Sequence, residues 1–416
     1  MTSFTFLHAA DLHLGSPLAG LAAKDAGIAE RFAAAGRKAF ADLCTLAIEE
    51  QVAFVVIAGD IYDRDWADLS IGLFFAQQVS RLAKSGIPVA FVRGNHDAES
   101  VVTRSVRLPD GVLEFSSDRA LTHRLDALRV ALHGRSFADR AVPDESFARS
   151  YPDPVPGWFN LGILHTSCSG HAAHATYAPC SPAELVARGY DYWALGHVHD
   201  YAEISLDPHI IFPGNLQGRS VRECGPRGAV AVDVVDGRVA AIRRLVLDHA
   251  RWASLEIDIE PAETERAAID LVEAALQPHV AGLGERLLAL RVALRGSTHL
   301  HNGLAGDRER IAAEIQAAAH RHHEHVWLES LRIGTRRPAA RGDAERVGLL
   351  DPATLLADLD RDPAFRERAR EIIAEITAKL PGGMGATDEP DLVLDLDQLC
   401  VEAEATVMSR LRGRGC

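Results

Sequence analysis

The amino-acid sequence predicts an α/β sandwich, followed by a smaller α/β domain and a helical C-terminal segment. Three observations support this prediction. The 416 residues are enough for about two or three domains with a sizeable core. Short apolar runs alternate with helix-period segments over residues 1–250, and the alternation restarts near Trp252. A hydrophobic content of 47% with 25% charged residues excludes the disordered, collagen and coiled-coil classes.

The first domain is predicted to span residues 1–250. Predicted strands lie at Phe4–Ala9, Ala53–Ala58, Pro88–Arg93, Leu128–Gly134, Leu161–His165, Tyr192–Gly196 and His209–Pro213, with helices at Ile28–Glu50 and Trp66–Lys84. Two further strands, Ala229–Val235 and Val239–Leu247, are predicted to form a hairpin because Asp236-Gly237 is typical of a type I′ turn. We expect His8 and His133 to pack inside strands of this domain.

The second domain is predicted to span residues 251–335. Its predicted strands are Leu255–Ile259, Leu287–Leu294 and Val326–Ile333, and its predicted helices are Glu263–Leu276 and Arg308–His320. Residues 336–350 read as a linker, and residues 351–416 as a helical segment. Its helices, Pro352–Leu380 with a break near Asp362-Pro363 and Leu392–Leu411, are separated by a Gly- and Pro-rich stretch.

Composition excludes several classes of location and partner. A formal net charge of −14 gives no sign of a nucleic-acid protein, because sequence-independent DNA affinity needs clustered cations. No apolar run reaches the roughly 18–20 residues that cross a bilayer, so no membrane association is expected. The N-terminus runs directly into a strand without a basic stretch, so no signal peptide is expected. Six cysteines without a CxxC pair are typical of reduced thiols in the cytoplasm.

Metal-ligand side chains are concentrated in five short segments, each at the C-terminal end of a predicted strand. The crevice outside the carboxyl ends of strands is where α/β sheets bind ligands. Asp-x-His and His-x-His spacings place two side chains on one side of an extended segment, so that both can reach the same ions. The segments are Asp11-Leu-His13, Gly59-Asp60, Gly94-Asn95-His96-Asp97, Leu164-His165 and Gly196-His197-Val-His199.

These segments supply two aspartates, one asparagine and four histidines as candidate metal ligands. Mixed oxygen and nitrogen ligands favour Mn, Fe or Zn over Ca, and the absence of Cys argues against a structural zinc site. Seven ligands are too many for one ion with open positions. They fit two divalent ions about 3.5–4 Å apart that share a carboxylate, an arrangement used for phosphoester cleavage. The candidates are Asp11, His13, Asp60, Asn95, His165, His197 and His199.

The ordered set of motifs resembles the calcineurin-like metallophosphoesterase superfamily. Phe6–Gly15 and the Gly-His-Val-His block are similar to the SbcD-type DNA exonucleases, and more closely to their YhaO-type bacterial relatives. The resemblance covers about residues 3–248 and includes Tyr177–Cys180, Phe212–Arg219 and Arg222–Gly228. It implies a four-layer αββα metallophosphoesterase sandwich, a small α/β cap domain and a C-terminal helical segment.

The resemblance also implies roles for individual residues. One metal would be bound by Asp11, His13 and His199, the other by Asn95, His165 and His197, and Asp60 would bridge them. Mn is the expected ion, with Mg, Fe and Zn as alternatives. His96 would lie over the scissile phosphate as a cation or general acid. Asp97 would orient the loop or the ring of His96.

Two features beyond the ligand set leave alternatives open. Some relatives carry a second histidine three residues after the bridging aspartate, where this chain has Asp63. Asp63-Arg64 is similar to the Gly-Asp-x-x-Asp-Arg motif of protein Ser/Thr phosphatases, but the next motif of those enzymes ends in Glu rather than in Asp97. Two alternatives stay open for Arg219, Arg222 and Arg227. Their side chains would contact substrate phosphates, or they would be exposed to solvent on the segment that leads into the hairpin.

The predicted function is two-metal phosphodiester hydrolysis, with DNA as the substrate and an SbcC-like SMC-type ATPase as the partner that the resemblance implies. A homodimer is a further possibility. One alternative is a phosphoesterase that acts on small molecules or phosphoproteins. Another is a subunit whose main task is to bind an ATPase through the helices after residue 350, whose apolar stripes could instead pack on the protein's own cap domain.

Overall fold

The structure is a computed structural model of the chain. It describes residues 3–16, 18, 21, 25–63, 69–99, 108–144, 146–168, 177–338, 359 and 362–379, and the single residues 396, 399, 400, 403 and 407. The chain forms two compact units. Unit 1 comprises Met1–Leu18 and Asp25–Trp252, and unit 2 comprises Ala19–Lys24 and Ala253–Cys416.

The strands of the described residues are numbered in chain order. They are β1 (Ser3–Ala9), β2 (Phe54–Ala58), β3 (Val89–Val92), β4 (Val112–Glu114), β5 (Leu121–Leu125), β6 (Val130–Gly134), β7 (Phe159–His165), β8 (Tyr192–Gly196), β9 (Ala202–Leu206), β10 (His209–Phe212), β11 (Gly228–Val235), β12 (Arg238–Val246), β13 (Ala250–Asp258), β14 (Leu287–Ser297) and β15 (Val326–Arg336). The described helices are α1 (Ala26–Glu49), α2 (Leu69–Lys84), α3 (Asn95–Glu99), α4 (Pro182–Ala187), α5 (Glu265–Val280), α6 (His301–Gly306), α7 (Arg308–His322) and α8 (Pro363–Lys379).

Unit 1 contains two six-stranded sheets. The strand order of the first sheet is β12-β11-β1-β2-β3-β4, with β1 to β4 parallel and the hairpin β11–β12 added antiparallel to β1. The order of the second sheet is β5-β6-β7-β8-β10-β9, with β5 and β9 as antiparallel edges of a parallel centre. The carboxyl ends of the parallel strands therefore meet at one edge of each sheet, where ligands bind in α/β folds.

Side-chain alternation along the strands builds the layers. Phe6 of β1 packs with Phe54 and with Tyr192 of β8 in an apolar core between the two sheets. Leu7, one residue on, faces the opposite side and packs in a core with residues of α1 and α2. The outer face of the second sheet, including Trp193, is covered by α4 and neighbouring loops. The αββα sandwich is thus confirmed, with a fourth layer that has only the short helix α4 among the described residues.

Two histidines are buried inside strands, as expected from the sequence, and His8 joins the two sheets. His8 contacts the hydroxyl of Tyr192 through Nδ1 at 3.0 Å and the carbonyl of Leu195 through Nε2 at 3.1 Å. His133 contacts Thr122 and Asn160 at 2.9 and 3.0 Å. Burial lowers the pKa of His8 to about 3 and that of His133 to about 4, so both rings are neutral packing residues.

Unit 2 is built on a three-stranded sheet of order β13-β14-β15, in which β14 and β15 are parallel. The helices α5 and α7 pack on it around Ile269, Leu290 and Ile315. The helix α8 begins at Pro363, at the predicted break, and its Ile372 and Ile376 side chains are 46% and 49% exposed. Residues 339–358, together with most of 392–411, lie outside the described residues. No helix in the described part of the chain is long and apolar enough to span a membrane.

Candidate metal centre

The five predicted segments converge where the carboxyl ends of β1, β2, β3, β7 and β8 meet. Asp11 and His13 follow β1, Asp60 follows β2, and His165 is the last residue of β7. The Asn95-His96-Asp97 segment opens α3 after β3, and the two histidines of the His-x-His motif follow β8. The sandwich therefore brings residues from both sheets into one site.

The first group of donors is Asp11, His13 and His199. The Nε2 atoms of the two histidines are 3.2 Å apart, and Nε2 of His199 is 3.9 Å from Oδ1 of Asp11. One ligand atom from each residue lies within 4.8 Å of the others. Burial lowers the pKa of His13 to about 3, so its ring is in the neutral form that metal binding needs. The three donors fit a divalent cation.

The second group is built around His165. Its Nδ1 donates to the carbonyl of Ala58 at 2.9 Å, which leaves Nε2 facing the site. Nε2 lies 3.0 Å from Oδ1 of Asn95 and 3.4 Å from Oδ2 of Asp60. The same Oδ2 is 3.8 Å from Nε2 of His13 in the first group. Asp60 therefore lies between the two groups, where a carboxylate could bridge two ions.

Buried charge gives the site a strong field. Burial raises the pKa of Asp11. For Asp60 burial acts in the same direction, but the neighbouring His165 and His96 outweigh it and hold the pKa well below its ordinary value. Burial opposes protonation of His165, yet Asp60 raises the pKa of this imidazole to about 9. Such a field attracts cations, and the mixed carboxylate, amide and imidazole donors fit two divalent metal ions.

His197 is the remaining predicted ligand. Its backbone N–H donates to both carboxylate oxygens of Asp11, at 2.9 and 3.1 Å, which ties the end of β8 to the end of β1. Its ring centroid lies 5.2 Å from that of His165 and 5.1 Å from that of Tyr177. Tyr177 belongs to the Tyr177–Cys180 segment of the family resemblance, and its place beside His197 is not predicted from the sequence.

The backbone is strained at four of the candidate ligands. Asp11, His13, Asp60 and His197 have φ values of 51°, 42°, 53° and 102°, a region that residues other than glycine seldom occupy. Hydrogen bonds hold this conformation, including those from Asp11 N to Gly59 O and from His13 N to Asp60 O, both 3.0 Å. Backbone strain of this kind is concentrated at functional sites.

His96 lies beside the two groups and is partly open to solvent. Its Nδ1 is 2.9 Å from Oδ1 of Asp63, and its side chain is 16% exposed. Its backbone N–H donates to Asp60 at 3.0 Å. Burial lowers the pKa of His96, but Asp60 and Asp63 together outweigh it and raise the pKa above the ordinary value. One ring atom also lies within 4.8 Å of donors from His13 and Asp60.

The carboxylate of Asp97 binds the backbone of two loops that carry site residues. Its carboxylate accepts from the backbone N–H groups of Ile61, Tyr62 and Gly94 at 3.1, 2.9 and 3.0 Å, and the residue is 1% exposed. Burial raises its pKa to about 7. These bonds tie the loop that carries Asp60 to the loop that carries Asn95 and His96.

The three arginines have different surroundings. Arg219 reaches the site: its Nη1 lies 3.4 Å from Asp63 and its Nη2 lies 3.3 Å from Glu223. Arg222 is exposed. Arg227 is 7% exposed and donates to the carbonyl of His199, to Asp200 at 2.8 Å and to the carbonyl of Cys224 at 2.9 Å. These internal partners fix the backbone around His199.

Glu223 was not predicted as a site residue. Its Oε1 lies 2.7 Å from Nδ1 of His199, the ring nitrogen that faces away from the first donor group. Burial raises the pKa of Glu223, but Arg219 and His199 outweigh burial and hold it well below the ordinary value. Because 24 residues separate Glu223 from His199, no short spacing could have revealed the pair.

Comparison with known proteins shows similarity to phosphoesterases. Residues 4–201 match the calcineurin-like phosphoesterase family, and residues 252–336 match the middle domain of the metallophosphoesterase YhaO. The uncharacterized metallophosphoesterase YhaO of Bacillus subtilis is 29% identical over 383 residues, which cover 89% of this chain and 93% of that protein.

Archaeal proteins show a more distant similarity. The DNA double-strand break repair protein Mre11 of Methanopyrus kandleri is 28% identical over 211 residues, which cover 46% of this chain and 44% of that protein. The protein of the same name from Aeropyrum pernix is 27% identical over 272 residues, which cover 61% of this chain and 63% of that protein.

Proposed function

We propose that this chain, a hydrolase with a calcineurin-like metallophosphoesterase domain at residues 4–201, cleaves phosphodiester bonds of DNA with two divalent metal ions. One observation carries the proposal. Candidate donors lie on both sides of Asp60, whose carboxylate is 3.4 Å from Nε2 of His165 and 3.8 Å from Nε2 of His13. This is the ligand arrangement that a two-ion site needs.

The residues divide between the ions as follows. Asp11, His13 and His199 would hold one ion, and Asn95, His165 and His197 would hold the other, with Asp60 shared. When bound, such ions lower the pKa of a water molecule and neutralise charge on phosphoryl oxygens. Mn is the ion we propose, with Mg, Fe and Zn as alternatives, because the donors mix oxygen with imidazole nitrogen.

His96 is the proposed general acid. Its side chain is 16% exposed, and Asp60 and Asp63 favour its protonated form. A protonated imidazole there can donate a proton to the leaving oxygen of the phosphodiester. Asp63 and Asp97 would act through position: Asp63 by its contact with Nδ1 of His96, and Asp97 by its three bonds to the loops of the site.

DNA as the substrate is supported by the similarity to proteins named for DNA double-strand break repair. Local cations are needed, because the chain has a formal net charge of −14. Arg219 and the exposed Arg222 lie in the segment after β10, and their guanidinium groups suit phosphate oxygens. Arg227 would support this segment from within.

The test is a substrate panel with metal-depleted protein that is reloaded with Mn, Mg, Fe or Zn. The substrates are end-labelled single- and double-stranded DNA, bis-p-nitrophenyl phosphate, p-nitrophenyl phosphate and cyclic nucleotides, and Asp60→Ala controls for contaminating nuclease. We expect DNA cleavage and diester hydrolysis with Mn. Turnover of monoesters or cyclic nucleotides as good as that of DNA would favour a small-molecule phosphoesterase instead.

An SbcC-like SMC-type ATPase is the proposed partner, and residues 351–416 are the proposed docking segment. The exposed Ile372 and Ile376 lie one turn apart on α8, which is typical of a helix that packs on another helix. In the full chain, Ile372→Glu with Ile376→Glu should abolish pull-down of the ATPase and leave diester hydrolysis unchanged. Glu375→Gln on the same helix is the control. A fall in hydrolysis or in melting temperature would place this face within the protein's own core.

A homodimer is also proposed, because a second helix has exposed apolar side chains one turn apart. Leu69 and Leu73 lie one turn apart on α2 and are 49% and 64% exposed. Sedimentation of the wild type should give a dimer that Leu73→Glu converts to a monomer, whereas a wild-type monomer would refute the proposal.

The proposed location is the cytoplasm, because the six cysteines have no CxxC pair; cell fractionation tests it.

A further inference from the structure

We propose that Glu223 is the positioning residue that holds His199 as a metal ligand; this inference rests on the two-metal function proposed above. Oε1 of Glu223 lies 2.7 Å from Nδ1 of His199. With the proton of the ring on Nδ1 and donated to this carboxylate, Nε2 keeps its lone pair. Nε2 is the atom that faces His13 at 3.2 Å and Asp11 at 3.9 Å.

The carboxylate of Glu223 is itself fixed. The residue is 8% exposed, and its second oxygen, Oε2, accepts from the side-chain amide of Asn215 at 2.8 Å and from the backbone N–H of Arg219 at 2.6 Å. The guanidinium of Arg219 lies 3.3 Å from Oε1. Each carboxylate oxygen thus has partners other than bulk water, and the acceptor that His199 meets has a defined position.

The segment that carries these partners also holds the backbone of His199. The backbone N–H of Asn215 donates to the carbonyl of His199 at 3.0 Å. Gly214, with a φ of 80°, allows this approach, because a Cβ there would lie 2.8 Å from the carbonyl oxygen of His199. Asn215 therefore donates hydrogen bonds both to the main chain of His199 and to the side chain of Glu223.

His199 depends on such a partner more than His13 and His165 do. Its side chain is 28% exposed, whereas those of His13 and His165 are 1% and 0% exposed. Packing fixes a buried ring, but a partly exposed ring keeps rotational freedom unless a hydrogen bond restrains it. His165 has a carbonyl on Nδ1, and His199 has a carboxylate, which also increases the basicity of the imidazole toward a metal.

The test is calorimetric titration of the metal-depleted, full-length protein with Mn²⁺ alone. Loss of the outer partner of a metal-bound histidine typically costs about 10–100-fold in affinity. We expect Glu223→Ala to weaken one of two Mn²⁺ sites by about that factor and to leave the other site unchanged. Glu223→Gln, which keeps an oxygen acceptor for Nδ1, should lose less.

Two further variants make the result specific. His199→Asn should weaken the same site, and adding Glu223→Ala to it should cause no further loss, because both residues act on one ligand. Glu184→Gln is the matched control: its carboxylate also accepts from a backbone N–H, that of Ser181 at 2.8 Å, and contacts Arg149. It should bind Mn²⁺ as the wild type does.

The outcomes separate the two proposals. If the wild type binds two Mn²⁺ ions and the folded Glu223 variants bind them equally well, the role of Glu223 is refuted while the proposed function stands. If the wild type binds fewer than two ions, the two-metal function fails, and the role of Glu223 fails with it. Should Glu223→Ala not fold, as judged by thermal unfolding, Glu223→Gln decides.

Discussion

The carboxylate of Asp63 contacts the proposed general acid directly: its Oδ1 lies 2.9 Å from Nδ1 of His96, and its Oδ2 lies 3.4 Å from the guanidinium of Arg219. Some relatives carry a second histidine three residues after the bridging aspartate, where this chain has Asp63. In this chain that position instead orients another imidazole. The carboxylate of Asp63 therefore holds the ring that we propose as the general acid.

For His96 we expect loss of turnover without loss of metal. His96→Asn should lower kcat on a diester substrate by about 10²–10⁴-fold, the usual contribution of a general acid, and leave substrate binding nearly unchanged. The measurement is steady-state kinetics together with elemental analysis. His249→Asn is the control, because that ring pairs with Asp42 in unit 1 outside the site. A lost metal ion would identify His96 as a ligand instead.

For Asp63 the expected effect is smaller and depends on His96. Asp63→Asn should lower kcat by roughly 10–100-fold, since a hydrogen-bonded carboxylate that orients a catalytic group typically contributes that much. Combined with His96→Asn it should add little, because the two residues act as a unit. Additive losses in the double variant would show that Asp63 acts independently of His96.

For Asp60 we expect loss of both ions. Asp60→Ala removes the carboxylate that lies between the two donor groups, so activity and nearly all bound metal should be lost together. Elemental analysis after desalting is the measurement, and Asp42→Ala, at a half-exposed carboxylate, is the control. Two retained ions in Asp60→Ala would disprove the bridging assignment.

The absence of a side chain at Gly94 is a further requirement of the site. A Cβ there would lie 2.2 Å from Oδ1 of Asp60, so Gly94→Ala must displace this carboxylate. We expect weaker Mn²⁺ binding and a loss of stability of about 1–3 kcal/mol. Gly36→Ala, in the interior of α1 with no atom within 4 Å of the added Cβ, should instead stabilise the protein by about 0.5–1 kcal/mol. Normal metal binding in Gly94→Ala would contradict the description of this contact.

His8 gives the fold a pH dependence that is separate from the site. Its pKa is about 3 in the folded protein against 6.5 in the unfolded chain. Between these values only the unfolded chain binds the proton, so stability is present above pH 6.5 and falls as the pH decreases, by about 1.4 kcal/mol per pH unit. Urea unfolding at several pH values in a chelator measures this slope. His8→Gln should show a shallower slope, and an equal slope would refute the assignment.

The sequence predicts the central strands well and brings the candidate ligands to their ends, because both depend on local patterns. β8 has the predicted bounds, Tyr192–Gly196, since a fully buried strand is a continuous apolar run. The edge strands β5 and β9 escaped prediction, since their side chains are only partly buried and Leu206 is 65% exposed. A half-exposed edge strand has no continuous apolar run that would identify it in the sequence.

The supporting residues of the site could not be predicted in the same way. Arg227 and Glu223 are 28 and 24 residues from His199, and only the folded segment after β10 brings them to it. For Arg227 the sequence leaves a substrate contact and a solvated position open, and the fold gives it the carbonyl of His199 and Asp200 as neighbours. Local motifs identify candidate ligand atoms, but the partners that hold those atoms depend on tertiary structure.

The most direct test of a two-metal phosphodiesterase is a Mn²⁺ titration of the metal-depleted wild type that records bound metal and hydrolysis of bis-p-nitrophenyl phosphate in the same samples. We predict saturation at two Mn²⁺ ions per chain, with hydrolysis absent at the start and maximal only when both sites are filled. Hydrolysis by the metal-free protein, or full activity with a single bound ion, would contradict the account.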